Sequence, residues 1–299
     1  MNIKQFKYVL ELADTKSFGR AAENLNISQP SLSQYIKNIE KGLGVELFDR
    51  SGGGVRLTDA GRIYIEAGKK ILALEREMYS DFADLSEHKT GTVTVGTSPY
   101  RSATLMPEAT CKFHEKYPDM CVVVEEMTTD ELLLAVERGD FDFALTVSPV
   151  DERKFDIEFL REEALVLAVP KSFEPLSLEK SDSSSAEIDV RCIDGKKFVT
   201  IGENQPMQKA LGNICLDFGI NVKSAAVVKS LEAQFAMVQS GVGMALVPEG
   251  IKKLSSNDNV VFYKFKQKLP KREVVAVFKK GKAPNAPTKD LIKTIKEIK

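Results

Sequence analysis

Residues 17–61 read SFGRAAENLNISQPSLSQYIKNIEKGLGVELFDRSGGGVRLTDAG, and this stretch decides how the first part of the chain folds. Ser17 is placed to cap a helix from Phe18 to Leu25, whose small Ala21 and Ala22 permit close helix contact. Asn26 and Ile27 form a tight turn. Ser28 then caps a second helix, with Pro30 in its first turn, where a missing N–H costs nothing. Within it Leu32, Ile36, Ile39 and Leu43 recur at the spacing of a buried stripe. Gly44 is the expected C-cap, after which Val45, Leu47 and Phe48 return to the core. Ser51–Gly54 turns the chain and Val55–Leu57 brings it back as a strand. Two helices across a tight turn, followed by a hairpin, make a winged helix-turn-helix, which lays one helix in a DNA groove.

Outward from this stretch, Ile3, Phe6, Leu10 and Ala13 share one face of an N-terminal helix, widened by Val9 and Leu12. On the second helix of the motif, the surface opposite the stripe carries Gln29, Ser31, Ser33, Gln34 and Lys37, short hydrogen-bonding side chains near a helix N-terminus where base edges are reached. Arg50 and Arg56 flank the hairpin tip and suit backbone phosphates. The competing readings are an ordinary polar helix face and solvated hairpin charges. Residues 16–62 hold seven basic residues against five acids, and the whole chain has a net charge of −1. DNA affinity therefore has to rest on placement and on more than one copy of the module, not on bulk charge.

Thr58 can cap a long helix that begins at Asp59, an acid favourable at the positive helix end. Ile63, Ala67, Ile71, Leu74, Met78, Phe82 and Leu85 step through it by threes and fours, the pattern of a coiled-coil seam. Such a helix is unstable alone, so it pairs with a second copy or folds back on its own chain.

From Gly91 onward strands alternate with helices. Strands are expected at 92–96, 121–125, 143–147, 157–160 and 165–169, then at 198–201, 225–228, 244–247 and 274–278. Helices are expected at 103–117, 128–138 (opened by the Thr128/Glu131 capping box), 208–218, 231–240 and at the end of the chain. This alternation predicts mainly parallel sheets covered by helices, with Ser181–Glu187 as a solvated loop. Ligands of open α/β sheets sit beyond the carboxyl ends of strands. That rule selects Thr97, Ser98, Tyr100 and Arg101; Thr128 and Thr129; Thr146 and Ser148; and Thr200, Ile201 and Gly202. The recurring hydroxyls suit a small polar or anionic ligand, and equally suit ordinary caps. Arg101 either meets a ligand carboxylate or faces solvent.

The 299 residues are 43% hydrophobic and 28% charged, the balance of a globular chain of two or three compact units. No apolar run approaches the roughly 18 residues of a membrane span, and the amphipathic N-terminus has no signal-peptide character, so a cytoplasmic address is expected. Cys111, Cys121, Cys192 and Cys215 are scattered, and with only His88 and His114 no metal-ligand spacing arises. Buried reduced thiols are the expectation, a redox switch through Cys192 and Cys215 the alternative. No nucleophile elbow, P-loop or dinucleotide fingerprint is present, which speaks against an enzyme, and Gly241-Val-Gly-Met-Ala is too short for a nucleotide site.

The order AA-x-x-L-x-I-S-Q-P-S-L-S-x-x-I-x-x-I-E, then LG-V-x-L-F-x-R, then V-R-L-T-x-A-G resembles the LysR-type transcriptional regulators, and the resemblance extends over the full length. It implies groove-facing Gln29, Pro30, Ser33 and Gln34, and phosphate-facing Arg50 and Arg56. It also implies an α/β architecture in three parts: a winged helix-turn-helix (1–58), a linker helix (59–90) and a two-lobed, periplasmic-binding-protein-like effector domain (91–299). The lobes divide as 91–163 with 269–299, and 164–268. The chain crosses between them near Ala164–Pro170 and returns near Phe265–Pro270. The expected partners are double-stranded promoter DNA, RNA polymerase and further copies of the chain, as a dimer through 59–90 and a tetramer. A small-molecule effector in the interlobe cleft is expected, and no cofactor or metal. The wing tip is Gly-rich and the neighbourhood of Gln34 lacks the basic residue common in the family, which leaves less charge for backbone anchoring. The other readings are an architectural DNA-binding protein with a non-functional sensor, and a small-molecule-binding protein or enzyme without a regulatory role.

Overall fold

Asn2 opens the first helix, α1 (Ile3–Thr15), with a reciprocal capping box: its side chain accepts from the Gln5 N–H while the Gln5 side chain accepts from its own N–H. The computed structural model describes residues 2–50, 54–85, 90–173, 187–203, 205–255, 258–269 and 271–298. Contacts divide the chain into two compact units, one built around residues 1–88 and the other around 89–299.

In the first unit Ser17 caps α2 (Phe18–Asn24) and Ser28 caps α3 (Gln29–Leu43), each hydroxyl accepting a backbone N–H three residues on. Asn26 turns the chain between them in the left-handed region at φ 53°. Phe6, Val9, Leu12, Ala21, Ala22, Leu32, Ile36 and Ile39 form the core between the three helices. The stripe of α3 stops there. Leu43 is 43% exposed and Val45 48% exposed, because the last turn of α3 runs out of helical partners, and Leu47 and Phe48 close the core instead. The wing is β1 (Phe48–Asp49) antiparallel to β2 (Arg56–Leu57). Of the expected tip, 51–53 lies outside the described residues.

Thr58 caps α4 (Asp59–Leu85), accepting from the Gly61 N–H and donating to the Glu46 carbonyl. The first half of α4 packs on α1: Tyr64 and Ile65 are buried, and the Phe6 and Tyr64 rings lie 5.0 Å apart. Along the expected seam Ile71 is half-buried against this unit's own core. Ile63, Leu74, Met78 and Phe82 are exposed, at 72%, 63%, 44% and 55%. The Leu85 side chain lies outside the described ones.

The second unit begins with β3 (Gly91–Thr97), α5 (Pro99–Thr104), α6 (Met106–Lys116), β4 (Met120–Glu126), α7 (Thr129–Arg138), β5 (Phe143–Val147) and β6 (Phe155–Glu163). It continues with β7 (Leu165–Pro170), β8 (Glu187–Ile188), β9 (Lys197–Ile201), α8 (Pro206–Phe218), β10 (Lys223–Val228), α9 (Leu231–Gln239), β11 (Ala245–Pro248) and β12 (Val260–Phe265). The last elements are β13 (Arg272–Lys279) and α10 (Ala286–Glu297). A helix expected over 103–117 is in fact two, broken at the buried Leu105. Most of the loop expected at Ser181–Glu187 lies outside the described residues, while Glu187 itself belongs to β8.

One sheet runs β4-β3-β5-β13-β6, another β11-β7-β12-β8, and β9 pairs with β10. Strands β4, β3 and β5 are parallel, as their intervening helices require, but β13 is antiparallel to both neighbours. In the second sheet β7 is antiparallel to both β11 and β12, so the expectation of mainly parallel sheets holds for β3–β5, for β9–β10 and for the short β8–β12 pair, and fails elsewhere. The cause is connectivity. The chain passes from the first sheet to the second between Glu163 and Leu165 and returns between Phe265 and Arg272, so β7 and β13 enter their sheets without a crossover helix. One core lies under the first sheet around Val93, Phe113, Phe143 and Leu291, a second around Leu167, Phe198, Leu211 and Tyr263, and smaller clusters form around Val166 and Phe235 and around Leu132 and Phe141.

Candidate functional site

On the first unit, Gln29, Pro30, Ser31, Gln34 and Lys37 are exposed on the face of α3 opposite Leu32, Ile36 and Ile39, and Ser33 is half-buried beside them. Pro at the start of α3 and the Ser28 cap hold this first turn in register. Two of the side chains already have local partners. The Ser31 hydroxyl meets the Ser28 hydroxyl at 2.7 Å, and Gln34 Nε2 donates to Asn38 Oδ1 at 3.0 Å. Gln29 and Lys37 are the exposed polar groups best placed for an outside partner.

The two wing arginines differ. Arg56 is exposed and, with Lys16 and Arg62, lines a groove at the base of the wing. Arg50 instead donates to Glu40 Oε2 at 2.8 Å and lies over the Phe18 ring at 5.1 Å. Glu40 Oε1 in turn accepts the N–H groups of Leu47 and Phe48 at 2.9 and 3.2 Å. Counted in the sequence only as an opposing acid, Glu40 is the anchor that ties the end of α3 to the wing, and Arg50 is part of that anchor.

In the second unit a cavity of about 270 Å³ opens where α5, α7, α8 and α9 begin, lined by Ser98, Tyr100, Glu126, Thr128, Glu131, Gln205, Lys229, Ser230 and Glu232 together with apolar neighbours. Of the sequence-selected residues, Ser98, Tyr100 and Thr128 line it. Thr129 is half-buried at the start of α7. Thr97 is wholly buried, its hydroxyl without a hydrogen-bond partner among the described residues. Thr146 is buried in β5, and Ser148 lines a separate groove with Phe155, Phe159 and Lys280. Thr200 is buried against the Ser224 hydroxyl at 2.8 Å, Ile201 is buried, and the Gly202 N–H is taken by the Val228 carbonyl. The four segments are therefore not brought to one cavity. Applied to the strand end at Val228, the same rule finds Lys229, Ser230 and Glu232, where Ser230 caps α9 through the Ala233 N–H.

Arg101 corrects both readings made of it. It is 4% exposed and its guanidinium donates to Glu163 Oε2 at 3.4 Å. Arg272 reaches the same oxygen at 3.3 Å, and the Tyr100 hydroxyl donates to Glu163 Oε1 at 3.0 Å. Burial, followed by the nearby Arg101 charge, brings the Arg272 guanidinium down to about 10. Burial and the Glu163 carboxylate push the Tyr100 hydroxyl well above its ordinary value. Tyr100 packs with Val166, Ala168, Phe235 and Val247 of the second sheet and its helices, so a residue from the first βα unit is built into a cluster of the second sheet.

The cysteines also depart from expectation. Cys111 and Cys121 are exposed, and Cys192 and Cys215 are half-buried. Burial pushes the Cys215 thiol up. Among the described residues no cluster suited to a metal ion is found, and no helix is long and apolar enough to cross a membrane.

Residues 3–62 match the model of the bacterial regulatory helix-turn-helix proteins of the lysR family, and residues 86–298 match the LysR substrate binding domain. The chain is 28% identical to the uncharacterized HTH-type transcriptional regulator YcgK of Bacillus subtilis strain 168, over 94% of this chain and 90% of that protein. It is 31% identical to the probable RuBisCO transcriptional regulator of Trieres chinensis, over 82% of this chain and 80% of that one. Among solved structures it resembles CbnR, a LysR family transcriptional regulator (TM-score 0.74, 21% identity, 99% and 98% of the two chains covered). It also resembles a full-length OxyR variant from Pseudomonas aeruginosa (TM-score 0.70, 24% identity, 99% and 95% covered).

Proposed function

The chain belongs to the LysR family of DNA-binding transcriptional regulators with an effector-binding domain, and on that premise we propose how this regulator works. It is a cytoplasmic regulator, not an enzyme. It reads promoter DNA with the first turn of α3 and adjusts that binding when a small effector occupies the cavity among α5, α7, α8 and α9. Gln29, Pro30, Ser33 and Gln34 face base edges, while Lys37, Arg56 and the wing contact phosphates. The observation that carries this reading is the division of α3 into a buried apolar stripe of Leu32, Ile36 and Ile39 and an exposed polar first turn. A structure of the related CbnR bound to its target DNA supports it, with a TM-score of 0.73.

Residues 1–58 act as the reader, 59–90 as the coupling helix and 91–299 as the sensor. The exposed Ile63, Leu74, Met78 and Phe82 of α4 pair with a second copy, and further contacts between sensors build a tetramer that presents its readers to RNA polymerase at the promoter. Pairing also answers the weak net charge, since two readers double the phosphate contacts. Effector and DNA must influence one another reciprocally.

The test is recovery of sheared genomic DNA on the purified protein. Enrichment of a few two-fold symmetric sites, altered by a cell extract of small molecules, is the expected result. Uniform recovery at moderate salt would leave an architectural protein.

A further inference from the structure

At the end of α1, Lys16 caps the helix in the left-handed region, at φ 51° and ψ 25°, with its N–H on the Leu12 carbonyl. Helices α3 and α8 end in the same conformation, at φ 73° and 64°, and there the residue is glycine, Gly44 and Gly219. Glycine is the ordinary choice because a Cβ is disfavoured in this region. Asn26, the other non-glycine residue at positive φ among the described residues, is of a type that tolerates it. Lysine has no such allowance, and its place here points to a use for the side chain.

That side chain is exposed and makes no ion pair among the described residues. It lines a groove of about 580 Å³ between the end of α1 and the wing, where Phe48, Val55 and Leu57 supply apolar walls. Arg56 and Arg62 are the other charged groups of the lining, and among the described residues no acid lines it. Arg62 is paired with Asp59 along α4, which leaves Lys16 and Arg56 as the cations open to a partner. Two such cations beside a wing complement the phosphates of duplex DNA, the polyanion this unit already meets. We propose that Lys16 is a DNA-backbone contact, gripping with Arg56 a phosphate that lies along this groove. The contact holds the reader on the duplex and reads no base. The inference rests on the reading of the first unit as the DNA reader.

The experiment is binding of the full-length chain to sheared genomic duplex DNA at several salt concentrations, with the unfolding midpoint measured for each variant. Non-specific affinity is set by phosphate contacts, so no operator has to be known. Lys16→Gly should weaken binding about fivefold at low salt for each copy bound, the upper scale of an exposed ion pair. It should also reduce the slope of log affinity against log salt by about one per copy. The unfolding midpoint should hold or rise, because glycine relaxes the left-handed cap. Lys16→Gln should lose affinity in the same way, and Lys16→Arg should keep it.

Unchanged affinity and slope in Lys16→Gly and Lys16→Gln would overturn the contact and leave the rest of the reader as it stands. A loss in Lys16→Gly that Lys16→Gln does not share would place the effect in the backbone and overturn it as well. A lower midpoint in Lys16→Gly with DNA binding intact would make the lysine a helix cap held by the negative end of α1, which also overturns the proposal. Failure of the unaltered chain to bind duplex DNA at any salt would overturn the reading of the first unit itself.

Discussion

Glu163 and Arg272 are cross-strand partners at the point where both connections to the second sheet leave the first, and their carboxylate and guanidinium meet at 3.3 Å. The same carboxylate receives Arg101 and the Tyr100 hydroxyl from α5, the helix that borders the cavity. One buried anion thus links the first βα unit to both crossings. Arg272 also lies 2.9 Å from the Met207 sulfur at the start of α8, so the cluster reaches both lobes.

Removing that anion leaves two buried guanidiniums unpaired, with the Nε of each already lacking an acceptor among the described residues. Glu163→Ala should cost about 3–5 kcal/mol in urea unfolding. Tyr100→Phe removes one bond to the same carboxylate and should cost less, about 1.5–3 kcal/mol. Equal losses in the two variants would mean that the Tyr100 hydroxyl bond, not the pairing with the guanidiniums, carries the cluster.

Gly61, in the first turn of α4, has no room for a side chain. A Cβ there would sit 2.1 Å from the Leu47 carbonyl oxygen and 2.9 Å from a Leu57 methyl. The obstacle is backbone at the wing base and cannot rotate away. Gly61→Ala should therefore destabilise the first unit by about 1–3 kcal/mol or more, seen as an early unfolding step by circular dichroism with the second unit intact.

The helix-turn-helix is legible because its signals are local: capping serines, a proline in the first turn, a stripe at helical spacing, and a glycine at φ 73°. Strands β3, β5 and β9 are legible for the same reason. What the sequence hides depends on residues far apart. Arg101 is buried because Glu163 lies 62 positions on, and nothing near Arg101 announces it. The antiparallel β7 and β13 follow from the double crossing between sheets, which periodicity cannot register. Strand β12 escapes the reading because its apolar residues alternate only loosely and one flank is a Lys- and Pro-bearing segment that reads as loop. At the cavity, hydroxyls after strands prove a weak guide, because Thr97, Thr146 and Thr200 are buried in the sheets and Ser148 lines a separate groove.

The exposed apolar positions of α4 give a test of self-association. Leu74→Glu together with Phe82→Glu places charges at two of the four exposed seam positions without touching the α1–α4 core. Sedimentation should shift to monomer while helical content persists, and affinity for a two-fold symmetric site should fall more than tenfold as the linked second reader is lost. A variant that stays dimeric would move the interface elsewhere.

Acidification has a definite sign. The Arg153 side chain, then its backbone N–H, hold the Asp151 carboxyl at about 2, below its ordinary 3.8. Lys280 and the Gly281 N–H likewise hold Asp156 down. A carboxyl depressed in the folded state leaves the unfolded chain binding more protons, so its contribution is complete above the unfolded value and lost as pH falls through the folded one. The melting midpoint should drop between about pH 4 and 2. Asp151→Asn with Asp156→Asn should flatten that drop modestly, since both side chains face water. An unchanged slope would place the acid sensitivity elsewhere.

The reader can be dissected by three substitutions that differ in kind. Gln29 is exposed on the first turn of α3, so Gln29→Ala should weaken a specific site by about 1–3 kcal/mol and relax preference at one base pair. Arg56→Ala should weaken all sequences alike and reduce the slope of log affinity against log salt by about one. Arg50→Ala should behave unlike Arg56→Ala despite the symmetry of the two around the wing. Its guanidinium belongs to the Glu40 anchor and the Phe18 ring, so the loss should show first as lower stability of the first unit. Competition binding at several salt concentrations, with unfolding measured in parallel, separates the three. If Arg50→Ala lowered the salt slope with stability unchanged, the arginine would be a phosphate contact after all and its bond to Glu40 would be one that DNA displaces.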